Sequence, residues 1–182
     1  ISLNLGQIAA RFRKYDAAEK WYEIALRDEA TRPWAEAGLG DLLKFAGDYE
    51  AARPHFETAV ALKPDDPHIQ LDAAEFWLTM ATNSRFPSEQ EDYLKRARMN
   101  FVAAWKLDDT MPETYAMYGR SYLMEGSNVE KAVEMFEQAA LLHPSSVQIR
   151  AMLTEAYAAV GRNDDAIGQA RLILAWGHED SE

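Results

Sequence analysis

Residues 36–64 read EAGLGDLLKFAGDYEAARPHFETAVALKP, and this stretch decides the fold. Apolar and small residues recur at helical spacing through Leu39, Gly40, Leu43 and Ala46, and Gly47-Asp48 then interrupts the pattern. The spacing predicts one helix over 34–46, free of internal proline, and a second over 49–62. Lys63-Pro64 closes the second, because the residue before a proline is pushed out of helical geometry. The result is a helix, a glycine turn, a second helix and a proline stop.

The same unit recurs along the chain. Small residues fall at Ala18, Ala52, Ala97, Ala132 and Ala166, spaced 34, 45, 35 and 34 apart. Four residues after each come Tyr22, Phe56, Phe101, Phe136 and Ala170. Three further on lie Ala25, Ala59, Ala104, Ala139 and Ile173. Upstream sit the pairs Leu5-Gly6, Leu39-Gly40, Ala73-Ala74, Tyr118-Gly119 and Leu153-Thr154. The base period is 34, with an insertion of 11 residues in the third unit and of one residue in the fourth. The small columns let two antiparallel helices approach closely, and the aromatic column fills the space between units. One unit alone cannot bury its apolar face, so neighbours must stack.

Helix ends are also marked. Thr110 three residues before Glu113, Ser145 before Gln148 and Ser88 before Glu91 have the spacing of capping boxes. Gly161 sits where a left-handed residue closes a helix. The insertion is expected to lengthen both helices of the third unit, with a break at Asn83-Ser84-Arg85-Phe86-Pro87 forming a protruding tip.

The columns, best seen in residues 36–64, resemble tetratricopeptide repeats (TPR). The resemblance runs through all five units. It departs from the pattern at Arg13 and Ala30, at Ala73-Ala74 and Asp109, and at Thr154 and Ala170. It implies an all-α fold: a right-handed superhelical solenoid of antiparallel helix pairs. Residues 1–182 are expected to form a single domain with repeats at about 1–32, 33–66, 67–111, 112–146 and 147–180. The chain begins at Ile1 within a helical pattern, which suggests excision from a longer protein.

The resemblance further implies a module that binds a peptide or helix of a partner protein along the first helices. Helical spacing places Gln7 and Arg11 on that face in the first repeat, and Trp34, Asp41, Lys44 and Phe45 in the second. His68 and Glu75 fall there in the third, Glu113, Arg120 and Met124 in the fourth, and Glu155 in the fifth. Trp34, Phe45 and Met124 are the expected anchors, since aromatic and methionine side chains dominate interfaces. Adaptors of this family that clamp a C-terminal carboxylate use Lys, Asn and Arg. The corresponding residues here include Gln7, Gly38, His68 and Asp72, or Asp41, Asp72 and Glu113 one repeat on, so that ligand is not expected.

Other functions find little support. The chain carries 30 acidic and 19 basic residues, a net charge of −11, which disfavours phosphate backbones and anionic membranes. Residues 112–182 hold 11 acids against 5 bases, a balance that suits a basic partner segment or simply a solvated face. There is no cysteine, and the four histidines are scattered over different repeats. No metal site, cofactor or phosphate loop is expected. Asp65-Asp66, Asp108-Asp109 and Asp164-Asp165 read as turn and cap residues, and no nucleophile, base and orienter assemble into a catalytic set. No apolar run approaches the roughly 20 residues of a membrane helix. The alternative role is a spacer or oligomerisation domain of a multidomain enzyme or cell-envelope protein. The apolar residues Ile167, Leu172, Leu174 and Trp176 raise self-association through the C-terminal helix.

Overall fold

The computed structural model describes residues 1–126 and 128–179, with side chains through residue 175. Among these described residues ten helices follow one another: α1 (Ser2–Arg11), α2 (Tyr15–Ala25), α3 (Arg32–Ala46), α4 (Tyr49–Leu62), α5 (Pro67–Asn83), α6 (Pro87–Leu107), α7 (Pro112–Glu125), α8 (Val129–Leu142), α9 (Val147–Ala159) and α10 (Asn163–Glu179). No strand occurs among the described residues. The helices pair in chain order, α1 with α2, α3 with α4, α5 with α6, α7 with α8 and α9 with α10.

Two compact units divide the chain, Ile1–Leu107 with three helix pairs and Asp108–Glu182 with two. In the first unit α2 packs on α3 and α4 on α5, while α1 touches α3 and α3 touches α5. In the second, α8 packs on α9 and α7 touches α9.

The columns pack as their chemistry requires. Ala18, Ala52, Ala97 and Ala132 are fully buried, as are Phe56, Phe101 and Phe136. Burying each phenyl ring contributes about 2–3 kcal/mol. A Cβ on Gly6 would lie 2.7 Å from the Tyr22 ring, and one on Gly40 would lie 2.9 Å from Phe56 Cε2. Gly38, which belongs to no column, is tighter still: its Cβ would lie 2.5 Å from Tyr22 Cζ. Tyr22 is thus wedged between two glycines on successive first helices.

The turns follow one design. The Gly47 N–H donates to Lys44 O at 3.1 Å and the Asp48 N–H to Leu43 O at 3.0 Å. Gly161 and Arg162 repeat the pattern, and so do Arg13 and Lys14. These paired bonds satisfy the last carbonyls of the helix and require a left-handed residue. Gly47 and Gly161 supply φ of 81° and 76°; Arg13 adopts 56° without the freedom of glycine.

The caps correct the sequence reading. Thr110 does not cap α7: its hydroxyl and N–H both donate to Asp108, and Met111 precedes the helix. Before α9 the cap is Ser146, which accepts from the Ile149 N–H, rather than Ser145. Ser88 lies inside α6, and Ser84 instead organises the tip by accepting from the Phe86 N–H and donating to Glu89. Asp66 caps α5 as expected of its acidic pair, accepting from the His68 and Ile69 N–H groups. The insertion appears as two long helices, α5 of 17 residues and α6 of 21. Tyr93 on α6 stacks on Trp77 at 5.9 Å, tying the extension to the core.

Candidate functional site

α3 and α5 lie in contact, so residues one turn apart on each are brought together. Lys44 on α3 bonds Asp41 Oδ1 at 2.6 Å. Its ammonium also sits 5.5 Å and 5.6 Å from the ring centroids of Phe45 and Phe56. Beside them on α5 stand Asp72 and Glu75, whose charges act on Lys44. Burial alone would lower the Lys44 pKa. The surrounding carboxylates, Asp41 first, outweigh burial and raise it.

Asp72 is the most perturbed group of this face. Its carboxyl is half-buried, and burial followed by the charge of Asp41 pushes its pKa from 3.8 to about 8. Lys44 opposes the rise, while Glu75 and Asp66 add to it. Beneath lies Tyr22, whose hydroxyl is pushed up to about 12 by burial, then by Asp41 and Asp72. One ammonium therefore faces several carboxyls, and burial holds the Asp72 carboxyl well above the ordinary carboxylate range. A carboxyl so placed is stabilised in its charged form by an added cation.

The structure brings three of the expected residues together, Asp41, Lys44 and Glu75. It adds Asp72 and Tyr22, which the sequence reading did not place in the site. Gln7 and Arg11 are exposed on α1, Phe45 is exposed at the end of α3, and His68 is exposed in the first turn of α5. Trp34 is half-buried: its indole N–H donates to Asp66 at 3.0 Å, and Lys63 lies 5.2 Å from its ring centroid. It packs with Ala37, Ala59, Val60 and Ile69, so its ring serves the junction between repeats. In the second unit Glu113 and Arg120 are exposed on α7 and Glu155 on α9, while Met124 is half-buried.

The remaining polar clusters have structural work. His55 Nδ1 lies 2.8 Å from Glu36 Oε2, and Arg162 bonds Asp165 at 2.7 Å. Among the described residues no group of three His, Asp or Glu side chains is placed to hold a metal ion, and no helix is long and apolar enough to cross a membrane.

Antiparallel helix pairs joined by left-handed turns, packed through small residues and a buried aromatic column, define a helical-repeat protein with a charged face on its first helices. Two family profiles for the tetratricopeptide repeat match, one at residues 38–79 and the other at residues 123–182. The chain belongs to the tetratricopeptide-repeat family. A thermophilic TPR protein of Thermus thermophilus is similar over 96% of this chain and 89% of its own, with a TM-score of 0.79 and 25% identity. MamA of Desulfovibrio magneticus superposes over 100% of this chain and 96% of its own at a TM-score of 0.78 and 17% identity, a likeness of fold. The human protein O-mannosyl-transferase TMTC2 is 35% identical over 65 residues, which is 36% of this chain and 8% of that protein. The chain thus matches only a small part of that relative's length.

Proposed function

We propose that the chain is a non-catalytic protein-interaction module. Its first unit takes a peptide or helix of a partner protein across α1, α3 and α5, with a lysine or arginine of that segment beside Asp72. The observation that carries this reading is the charge imbalance at α3 and α5, where Lys44 is already spent on Asp41 and a half-buried Asp72 remains. Gln7, Arg11, Phe45 and His68 border this patch. Glu113, Arg120, Met124 and Glu155 form the corresponding row of the second unit. The net charge of −11 turns phosphate backbones away from the same face.

Selection of displayed random peptides against the wild-type chain and against Asp72→Lys tests the reading. Wild type should enrich segments rich in Lys and Arg, and Asp72→Lys should lose them while keeping its helical spectrum. Enrichment without basic residues, or the same peptides from both proteins, overturns it.

The second reading is a spacer or oligomerisation role within a larger protein. It draws on α10, where Ile167, Leu172 and Leu174 are exposed. The side chain of Trp176 lies outside the described residues.

A further inference from the structure

The second helices of successive pairs do not pack on each other; they flank the first helix between them. α2 and α4 lie either side of α3, α4 and α6 either side of α5, and α8 and α10 either side of α9. Each of these three grooves lies within one unit. One column runs through them all. Five residues after the buried alanine of α2, α4 and α8 stands a glutamate: Glu23, Glu57 and Glu137. Opposite, four residues after Leu39, Ala73 and Leu153, stands Leu43, Trp77 or Tyr157.

In two of the grooves the chain itself brings a guanidinium to that glutamate. Arg96 lies 3.7 Å from Glu57, and its guanidinium carbon is 4.7 Å from the Trp77 ring centroid. Arg162 bonds Glu137 at 3.1 Å and lies 4.3 Å from the Tyr157 ring centroid. One arginine comes from α6 and the other from the turn before α10, so the same arrangement is reached by two routes.

The α2–α4 groove has the acid without the cation. The columns of Arg96 and Arg162 hold Ala51 and Asp48 here. Among the described residues no lysine or arginine lines this groove. Asp16, Glu19 and Glu23 follow one another along its α2 wall at helical spacing. Among the described residues none of the three has an ion-pair or hydrogen-bond partner. Leu39, Leu42 and Leu43 form an apolar floor beneath a space of about 390 Å³. The α4–α6 groove keeps about 300 Å³, but Arg96 already stands on its wall. Helical spacing puts Leu39, Leu42 and Leu43 on the side of α3 opposite Asp41 and Lys44, so this surface is separate from the α3–α5 face.

We propose that the α2–α4 groove docks a segment of a partner protein through one arginine. Its guanidinium takes beside Glu23 the place that Arg96 and Arg162 take beside Glu57 and Glu137. An apolar side chain next to that arginine lies on the leucine floor. Charge selects the occupant: three carboxylates along one wall attract a cation and turn away phosphate and acidic segments. Shape selects arginine over lysine, because a flat, weakly hydrated guanidinium can bind a carboxylate while lying on an apolar surface. The inference goes beyond the reading of the α3–α5 face and does not depend on it.

The peptide acetyl-Leu-Arg-Leu-amide, titrated to about 5 mM into the isotope-labelled chain and followed by amide NMR, tests this. Signals of α2 and of the second half of α3 should shift, most of all around Glu23 and Leu43. Glu23→Gln, at an exposed position, should weaken binding about fivefold. Exchanging the peptide's arginine for citrulline, which has nearly the same shape and no charge, should weaken it about tenfold. Ala51→Arg should weaken it about tenfold or more by placing the chain's own guanidinium beside Glu23. The spectra also report that each variant is folded. Absence of shifts in α2 and α3 overturns the proposal, as do equal shifts from the citrulline peptide or equal binding by Ala51→Arg. Shifts confined to the surroundings of Asp72 overturn it and favour the α3–α5 reading alone. The same signals moving with protein concentration and no peptide assign the groove to a second copy, and spermine matching the peptide assigns it to a polyamine; either overturns the proposal. Carrying Glu23→Gln in both baits of the peptide selection above keeps this groove out of that test, so the two proposals fail separately.

Discussion

Replacing Asp72 by asparagine removes a carboxyl whose ionisation the fold opposes and leaves its shape. About four pH units separate the ordinary value of 3.8 from the value of about 8 in the folded chain. At 1.36 kcal/mol for each, the ceiling is about 5–6 kcal/mol above pH 8. Asp72 keeps a partial opening to water, which screens the neighbouring carboxylates, so this figure is an upper bound that falls together with the shift itself. The sign follows from proton binding. The folded state holds the Asp72 proton more tightly than the unfolded chain, so wild-type stability falls as pH climbs from about 4 to about 8 and is flat in this respect above. Asparagine cannot ionise and is free of that loss. Urea unfolding followed by circular dichroism at pH 5, 7 and 9 should show Asp72→Asn more stable than wild type, by a margin that grows to pH 8. A margin that stays constant across this range, or a variant less stable at pH 9, would refute the assignment of Asp72 as the strained acid of this face.

Three further substitutions probe the scaffold. Arg13→Gly relieves a left-handed residue worth about 1–2 kcal/mol, against a smaller entropy cost in the unfolded chain; the denaturation midpoint should rise by the equivalent of about 0.5–1 kcal/mol. Thr114 is buried, and its hydroxyl has no hydrogen-bond partner. Thr114→Val should therefore stabilise by about 1 kcal/mol, read as a higher thermal midpoint. Gly38→Ala drives a methyl group into the Tyr22 ring and should cost about 3 kcal/mol, visible as an earlier urea transition.

The scaffold was legible because packing writes itself into columns. A position that must be small, such as Gly40 against Phe56, repeats at the repeat period whatever the ligand. Left-handed turns were legible for the same reason at Gly47 and Gly161, and Arg13 shows that geometry can hold the turn without its usual residue. Caps were off by one or more positions, because Asp108, Thr110 and the adjacent serines all offer oxygen atoms and local backbone geometry chooses among them. The charged face was legible in part. Spacing along one helix placed Asp41, Lys44 and Glu75, whereas the pressure on Asp72 comes from the neighbouring helix. A signal for it existed: Asp72 lies three residues before Glu75, and 34 residues after Gly38. Trp34 is large and aromatic enough to read as an anchor, and only the Asp66 bond shows where its ring is held.

The long α5–α6 hairpin has a consequence for how the first unit opens. α5 contributes buried residues from Ile69 through Ala81, and Tyr93 on the extended α6 clasps it from outside. In a linear array each pair is held by its neighbours and by its own hairpin, so opening is local and graded. The inserted turns give this pair the deepest anchorage, while among the described helices α1 and α2 pack only on each other and on α3, across a turn held by Arg13. Backbone amides should therefore exchange with solvent as a gradient along the first unit, fastest at α1 and slowest in the middle of α5. The insertion thus acts as ballast: it leaves the outer repeats free to breathe while the α3–α5 face keeps its shape.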